Sequence, residues 1–403
     1  MRTVSTSSVA LADAPRGVIT ALAHSTADNR LYVATIAGRV HVYNVANISD
    51  SSNLIPLFKW HIDNLIVSIA LYEHLVILVH PNSVSVASVD EEVESSSFQC
   101  QCRQLPQCET SQSSEGVNIG ATVVEYMSVI LIASANGELR MYNLPDFSLL
   151  DIYTSTARSS IQTFDAYLNY VVVALSNGTN VILDISTRKF YHLQTQESGF
   201  KYPITTSLKI MHTIQPSQVH DFPYNLVYAQ AGIEGKVSVV TTRVETQTEP
   251  TVTITTAALS APVSSSIANN NPSGIVVASA EPSKFIFRAH RTTLRDGNVL
   301  VGPIYSLATI DGYLVTTGYG GNGKSVDTSG GGGSTEGSVC FWDVEAKRRV
   351  KLCRGFSGSV VATTVWEGVV ACASSYDGWK NRPTEKDDTI DAEESGVVLL
   401  VLG

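Results

Sequence analysis

Apolar residues recur along this chain in short runs, each bounded by Gly, Asn or Ser, and the unit returns at roughly the 40-residue length of a four-stranded propeller blade. The recurring form is an apolar strand, a short turn, a second strand, then a Gly or Asn turn and a third strand. The first copy reads Val18–Leu22, Leu31–Thr35 and, after Gly38, Arg39–Tyr43. In its third strand, alternation sends Val40 and Val42 to one face and Arg39, His41 and Tyr43 to the other. Further copies read Ile66–Ala70, Leu75–Val79 and Ser83–Ala87, then Ala121–Val124, Val129–Ala133 and Glu138–Tyr142. In the latter, Asn136-Gly137 is expected to supply the positive φ angles of a tight hairpin.

The pattern continues through Tyr170–Ala174 with Asn180–Asp184, Leu226–Ala229 with Lys236–Val240, Ile304–Ala308 with Tyr313–Thr317 and Gly337–Asp343, and a last copy, Val360–Thr363, Val369–Ala373 and Val397–Val401. Trp342-Asp343 is the full WD-type strand ending; Tyr43-Asn44 and Tyr142-Asn143 are decayed forms. The expectation is one all-β domain over residues 1–403, a seven-bladed β-propeller of WD-repeat type. Val4–Leu11 is the strand expected to close the ring in the last blade, since closure removes exposed sheet edges. Residues 90–118, 245–273 and 318–336 interrupt the pattern and read as surface loops.

Composition sharpens this. Hydrophobic residues make up 44% of 403 and charged residues only 16%, a balance that favours strands over long charged helices. The net charge of -10 argues against direct nucleic-acid binding, which needs a local surplus of Lys and Arg. No run of about 18 apolar residues suggests a membrane helix. The first residues, Met1-Arg2-Thr3-Val4-Ser5, lack an export signal. Six cysteines then suit a reducing compartment, and the sequons at Asn47 and Asn177 carry no meaning there.

Chemistry-bearing motifs are few. Gly318 to Ser325 matches the phosphate-loop pattern G-x4-G-K-S, but the following Val326-Asp327-Thr328-Ser329 and glycines to Gly333 offer no helix to receive phosphate. Cys100, Cys102 and Cys108 form a group of three thiols, short of the four ligands of structural zinc. Cys340, Cys353 and Cys372 read as small buried residues. His24, His41 and His80 read as satisfied structural histidines, and the acidic stretch Glu385 to Glu394 as a solvated loop. No nucleophile or acid/base pair stands out, so the chain reads as non-enzymatic, with no cofactor and no metal; a nucleotide-binding enzyme using the 318–325 loop is the remote alternative.

From about residue 200 onward the sequence resembles the mitotic-checkpoint (budding uninhibited by benzimidazole) and RNA-export factor family of WD-repeat propellers. The resemblance rests on four ordered segments: Ile233–Val239, Phe285–Arg291, Val339–Asp343 followed by Lys347-Arg348-Arg349-Val350, and Ala373–Asp377. It implies binding: family members hold a Glu-containing GLEBS segment of a checkpoint kinase or a nuclear pore protein across one face. By the same resemblance, Lys236, Lys284, Arg288, His290 and Arg291 are candidates to receive glutamates through charge-assisted hydrogen bonds. Pinning of neighbouring loops is the competing reading of Arg288 and Arg291.

The checkpoint relative also reads phosphothreonine, through a first-blade Trp and a fifth-blade Arg. Here Ile36 stands at the first place, and Lys201–Ser207 holds no Arg at the second. Lys347–Val350 leans toward the checkpoint protein, Tyr376-Asp377 with Trp379 toward the export factor. The implied setting is a monomer within a nuclear complex, at kinetochores in mitosis, or alternatively an mRNA export adaptor at the nuclear pore or in the cytoplasm.

Overall fold

The computed structural model describes residues 5–48, 54–88, 103–104, 116–155, 159–211, 224–244, 283–293, 299–319, 337–375 and 395–403. It is a seven-bladed β-propeller in which every blade is an antiparallel four-stranded sheet. Blade 1 follows the closing strand β1 (Thr6–Ala10) and comprises β2 (Ile19–Ser25), β3 (Arg30–Thr35), β4 (Arg39–Asn44) and β5 (Pro56–His61). Blade 2 is β6 (Ser68–Tyr72), β7 (Leu75–Val79), β8 (Val84–Ser88) and β9 (Arg103–Gln104). Blade 3 is β10 (Asn118–Val124), β11 (Val129–Ser134), β12 (Glu138–Asn143) and β13 (Leu149–Thr154). Blade 4 is β14 (Ile161–Tyr167), β15 (Tyr170–Leu175), β16 (Thr179–Asp184) and β17 (Tyr191–Glu197).

Blade 5 holds β18 (Thr205–Met211), β19 (Tyr224–Gly232), β20 (Lys236–Val244) and β21 (Ser283–Arg288). A small hairpin, β22 (Arg291–Thr293) with β23 (Val299–Val301), then leads into blade 6: β24 (Ile304–Ile310), β25 (Tyr313–Tyr319), β26 (Gly337–Asp343) and β27 (Arg348–Phe356). Blade 7 has β28 (Ser359–Trp366), β29 (Val369–Ser375) and β30 (Gly396–Leu402), and takes β1 as its outer strand, with Thr6 opposite Leu402 and Ala10 opposite Val398.

The continuous apolar runs follow from the packing. Both faces of each blade are covered by a neighbour, so alternate side chains fill opposite seams. On β15, Val171 and Val173 join the core shared with blade 3, while Tyr170, Val172 and Ala174 join the core shared with blade 5. Seven apolar clusters occupy the seven seams. The innermost strands meet in a closed ring round the axis, β2 against β6 on one side and β28 on the other. In six blades the innermost strand carries a register shift next to its first residues, as between Ile19 and Ala21; such a bulge bends the strand.

Four details correct the sequence reading. The outer strands β5, β13, β17 and β27 were not legible as part of the repeat, because they are only half covered. Residues 90–118 are not wholly a loop: Arg103–Gln104 pairs with Ser85 and Val86 as a short fourth strand of blade 2. In the Asn136-Gly137 turn only Gly137 takes a positive φ (93°); Asn136 instead accepts the Glu138 N–H through Oδ1 at 3.2 Å. And His24 is not a satisfied histidine. His41 and His80 are hydrogen-bonded, but both ring nitrogens of His24 lack a partner and the ring stacks on Trp366 at 4.1 Å, where burial lowers its pKa to about 4.

Cys100, Cys102, Cys108, residues 245–273 and the acidic stretch 385–394 lie outside the described residues. No helix among the described residues is long and apolar enough to cross a membrane.

Candidate partner-binding site

In each blade the turn between the second and third strands and the connection to the next blade emerge on the same rim. On blade 5 that rim is formed by Ile233-Glu234-Gly235, by residues 198–204 arriving from β17, and by the β22–β23 hairpin. Gly235 is required here. It takes φ 61°, and a Cβ would press on Val301 Cγ1 and the Gly302 carbonyl.

The register places Lys236 directly opposite Arg288, a pairing of like charges that costs stability unless an anion intervenes. Glu234 provides part of one: its carboxylate pairs with the Lys236 ammonium and accepts the Tyr202 N–H at 2.6 Å. Burial works against ionisation of Glu234, but the hydrogen bonds and the charge of Lys236 hold its carboxyl below the usual range. Arg288 and Arg291 are both exposed and have no carboxylate partner among the described residues. Lys284 is exposed too, and donates to the Glu197 carbonyl at 2.8 Å. Its pKa is lowered, burial outweighing the nearby Glu197 charge.

Apolar side chains surround these cations. Tyr202, Ile204, Ile233, Ile286, Val299 and Val301 are each at least 40% exposed, a concentration unusual on a surface where large apolar groups normally occur singly. Tyr202, Ile233, Glu234, Lys236, Arg288 and Val301 line a shallow cleft of about 480 Å³. Lys201 lies over the Tyr202 ring at 5.4 Å, within cation–π range. The arrangement can receive an extended chain bearing carboxylates flanked by apolar side chains.

Of the five residues singled out in the sequence, four reach this surface and His290 does not. His290 is 5% exposed. Its Nδ1 meets Ser338 Oγ at 2.7 Å and its Nε2 meets Thr316 Oγ1 at 2.9 Å, and Trp342 Nε1 donates to the same Thr316 oxygen. The ring thus ties the blade 5–6 connection to β25 and β26. Burial holds it at a pKa of about 4, so it stays neutral and offers no charge to a partner.

Sequence reasoning missed the apolar half of the site. Its signal was present: Ile233 occupies a turn, and Val299 and Val301 precede Gly302-Pro303, positions that polar residues usually take.

No Cys, His, Asp or Glu cluster among the described residues is suited to hold a metal. Gly318 and Tyr319 of the phosphate-loop pattern belong to β25 and pair with β26, and the described chain resumes at Gly337 as a strand. Gly320–Ser325 lies outside the described residues. No family model matches the chain, and no curated protein matches it significantly.

Proposed function

We propose that this protein is a non-enzymatic scaffold that holds a GLEBS-type acidic segment of a checkpoint kinase on the rim of blade 5, and acts in the spindle assembly checkpoint at kinetochores. The propeller architecture is compatible with a protein-binding scaffold. The observation that carries the reading further is the set of exposed cations, Arg288, Arg291 and Lys284, framed by exposed apolar side chains, with Arg288 lining the cleft beside Lys236. Charged groups at such a rim confer specificity and fast association.

The second reading, an mRNA export adaptor binding a nuclear pore protein, is favoured by Ser375-Tyr376-Asp377 and Trp379. Both readings use the same rim, so partner identity separates them. Affinity purification from mitotic cells is expected to recover a checkpoint kinase, and Arg288→Glu with Arg291→Glu to weaken that capture at least about tenfold while the melting temperature moves by no more than about 2 °C. Recovery of a pore protein with no kinase would decide for the export reading. Unchanged capture by the double variant would remove the rim itself.

A further inference from the structure

Toward the rim-side ends of its strands, the seam between blades 4 and 5 is polar and incompletely satisfied. Further along the same strands it is apolar, filled by Val172, Ile182, Leu208, Ile210 and Val240 among others. On the rim side runs a buried chain of hydrogen bonds. Asn180 Nδ2 donates to Gln230 Oε1 at 2.7 Å and to the Tyr228 hydroxyl at 3.3 Å. Tyr228 donates to Gln196 Oε1 at 2.9 Å, and Gln230 Nε2 to Thr205 Oγ1 at 2.6 Å.

This chain stops short at both ends. Asn180 Oδ1, Gln196 Nε2 and Ser238 Oγ have no partner, although Asn180 and Ser238 are fully buried and Gln196 is 7% exposed. Register makes neighbours of Asn180 and Gln196 on blade 4, and of Ser238 and Gln230 on blade 5, and Gln230 accepts from Asn180 across the seam. Unpaired buried polar groups are costly and call for a ligand or water. Reversing every amide moves the mismatch without removing it, since one donor and one acceptor remain unpaired either way.

Gln196 also lines a surface groove of about 320 Å³, together with Gln194, Thr195, Glu197, Val240 and Lys284. The buried network therefore ends where the seam opens. We propose that this seam is an anchoring pocket for a side-chain carboxamide, an Asn or Gln of an extended partner segment lying along β21. A carboxamide brings one acceptor and two donors, matching the amide of Gln196, the oxygen of Asn180 and the hydroxyl of Ser238. A carboxylate has no proton to give Asn180, and an apolar group leaves all three unpaired. Of the three unpaired groups only Gln196 lines the groove, while Asn180 and Ser238 are fully buried behind it, so the proposed entry is by a side chain and not by a backbone amide.

The inference rests on the reading of an extended partner at blade 5, because Lys284, Ile286 and Arg288 alternate onto the same face of β21. An extended segment bound at Arg288 passes Lys284 after about 13 Å. Its partner chemistry is thereby narrowed: acidic toward the rim, with an amide side chain about four residues further on.

The test uses acetyl-Ala-Gln-Ala-amide, with its Met and Glu counterparts, added at up to about 10 mM to the full ¹⁵N-labelled chain. The side-chain amide signals of Asn180 and Gln196 are followed. The Gln peptide is expected to shift them saturably, and the Met and Glu peptides to bind at least about tenfold more weakly, because a hydrogen-bonding site rejects analogues that leave it unpaired. Gln196→Met abolishes the response; should that variant not fold, Ser238→Ala weakens it. No shift, or equal shifts from the Gln and Met peptides, overturns the proposal and leaves water as the occupant. The probe carries no acid, so its failure leaves the charge reading at Arg288 and Arg291 standing.

Discussion

His290 shows how little a residue's type says about its task. It follows a segment of alternating exposed and half-covered residues, Lys284 to Arg288, and is one position past the buried Ala289. Its φ of 52° turns the backbone there, which carries the ring inward onto Ser338 and Thr316. In the unfolded chain its proton is bound near pH 6.5; in the fold burial lowers this to about 4. Between those values the unfolded state holds more protons, so stability falls as the pH drops from 6.5 toward 4. The loss is on the order of 3 kcal/mol at most. His24, held at about 4 by burial, adds in the same direction, discounted for its partial solvent access. Urea unfolding at pH 7.5 and at pH 4.5 is expected to show a smaller pH-dependent loss for His290→Gln than for the native protein, although the variant starts less stable. Parallel losses would place the acid sensitivity elsewhere.

Among the elements, the closing strand is the most exposed to test. β1 contributes five paired residues to blade 7 but buries little of its own surface, whereas β30 beside it is half covered or buried throughout. Without β1 the edge of β30 would be open for pairing with other chains. Removing residues 1–10 is therefore expected to cost about 2–5 kcal/mol, from five lost backbone pairings, and to produce dimers or larger species on size-exclusion chromatography. A truncated chain that stays monomeric with an unchanged melting curve would mean that the ring does not depend on this strand.

Over the whole molecule, the seven seams share their cores: every blade packs on two neighbours, and no blade has a core of its own. Phe341 is fully buried in the seam between blades 6 and 7, so Phe341→Ala is expected to cost about 3–5 kcal/mol. The loss should appear as one transition shifted to lower denaturant, coincident by far-ultraviolet and aromatic signals. A separate early transition with one or two blades' amplitude would show that the blades unfold independently.

Much of this architecture was legible beforehand because fully covered strands must be apolar. Leu75–Val79, Val129–Ala133 and Tyr170–Ala174 announce strands buried on both faces, and their spacing announces blades. The outer strands escaped notice for the opposite reason: Leu149–Thr154 and Tyr191–Glu197 are half exposed, so no apolar pattern is imposed on them. At the binding rim the cations Lys236, Lys284, Arg288 and Arg291 were visible by type and order, while the apolar frame of Tyr202, Ile204, Val299 and Val301 was not. Those residues come from two separate connections, on either side of blade 5, that only the closed ring brings together.

The chain's own order of residues thus determined the strand repeat, the number of blades and the donor of the closing strand, because each depends on local periodicity and on turn chemistry. What only the tertiary structure decided was which side chains face one another across a seam. Neither the withdrawal of His290 from the surface nor the unpaired groups of Asn180, Gln196 and Ser238 could be read in one dimension. Both arise where residues from different strands or blades meet, and burial there sets whether a polar group is satisfied, silenced or left waiting for a partner.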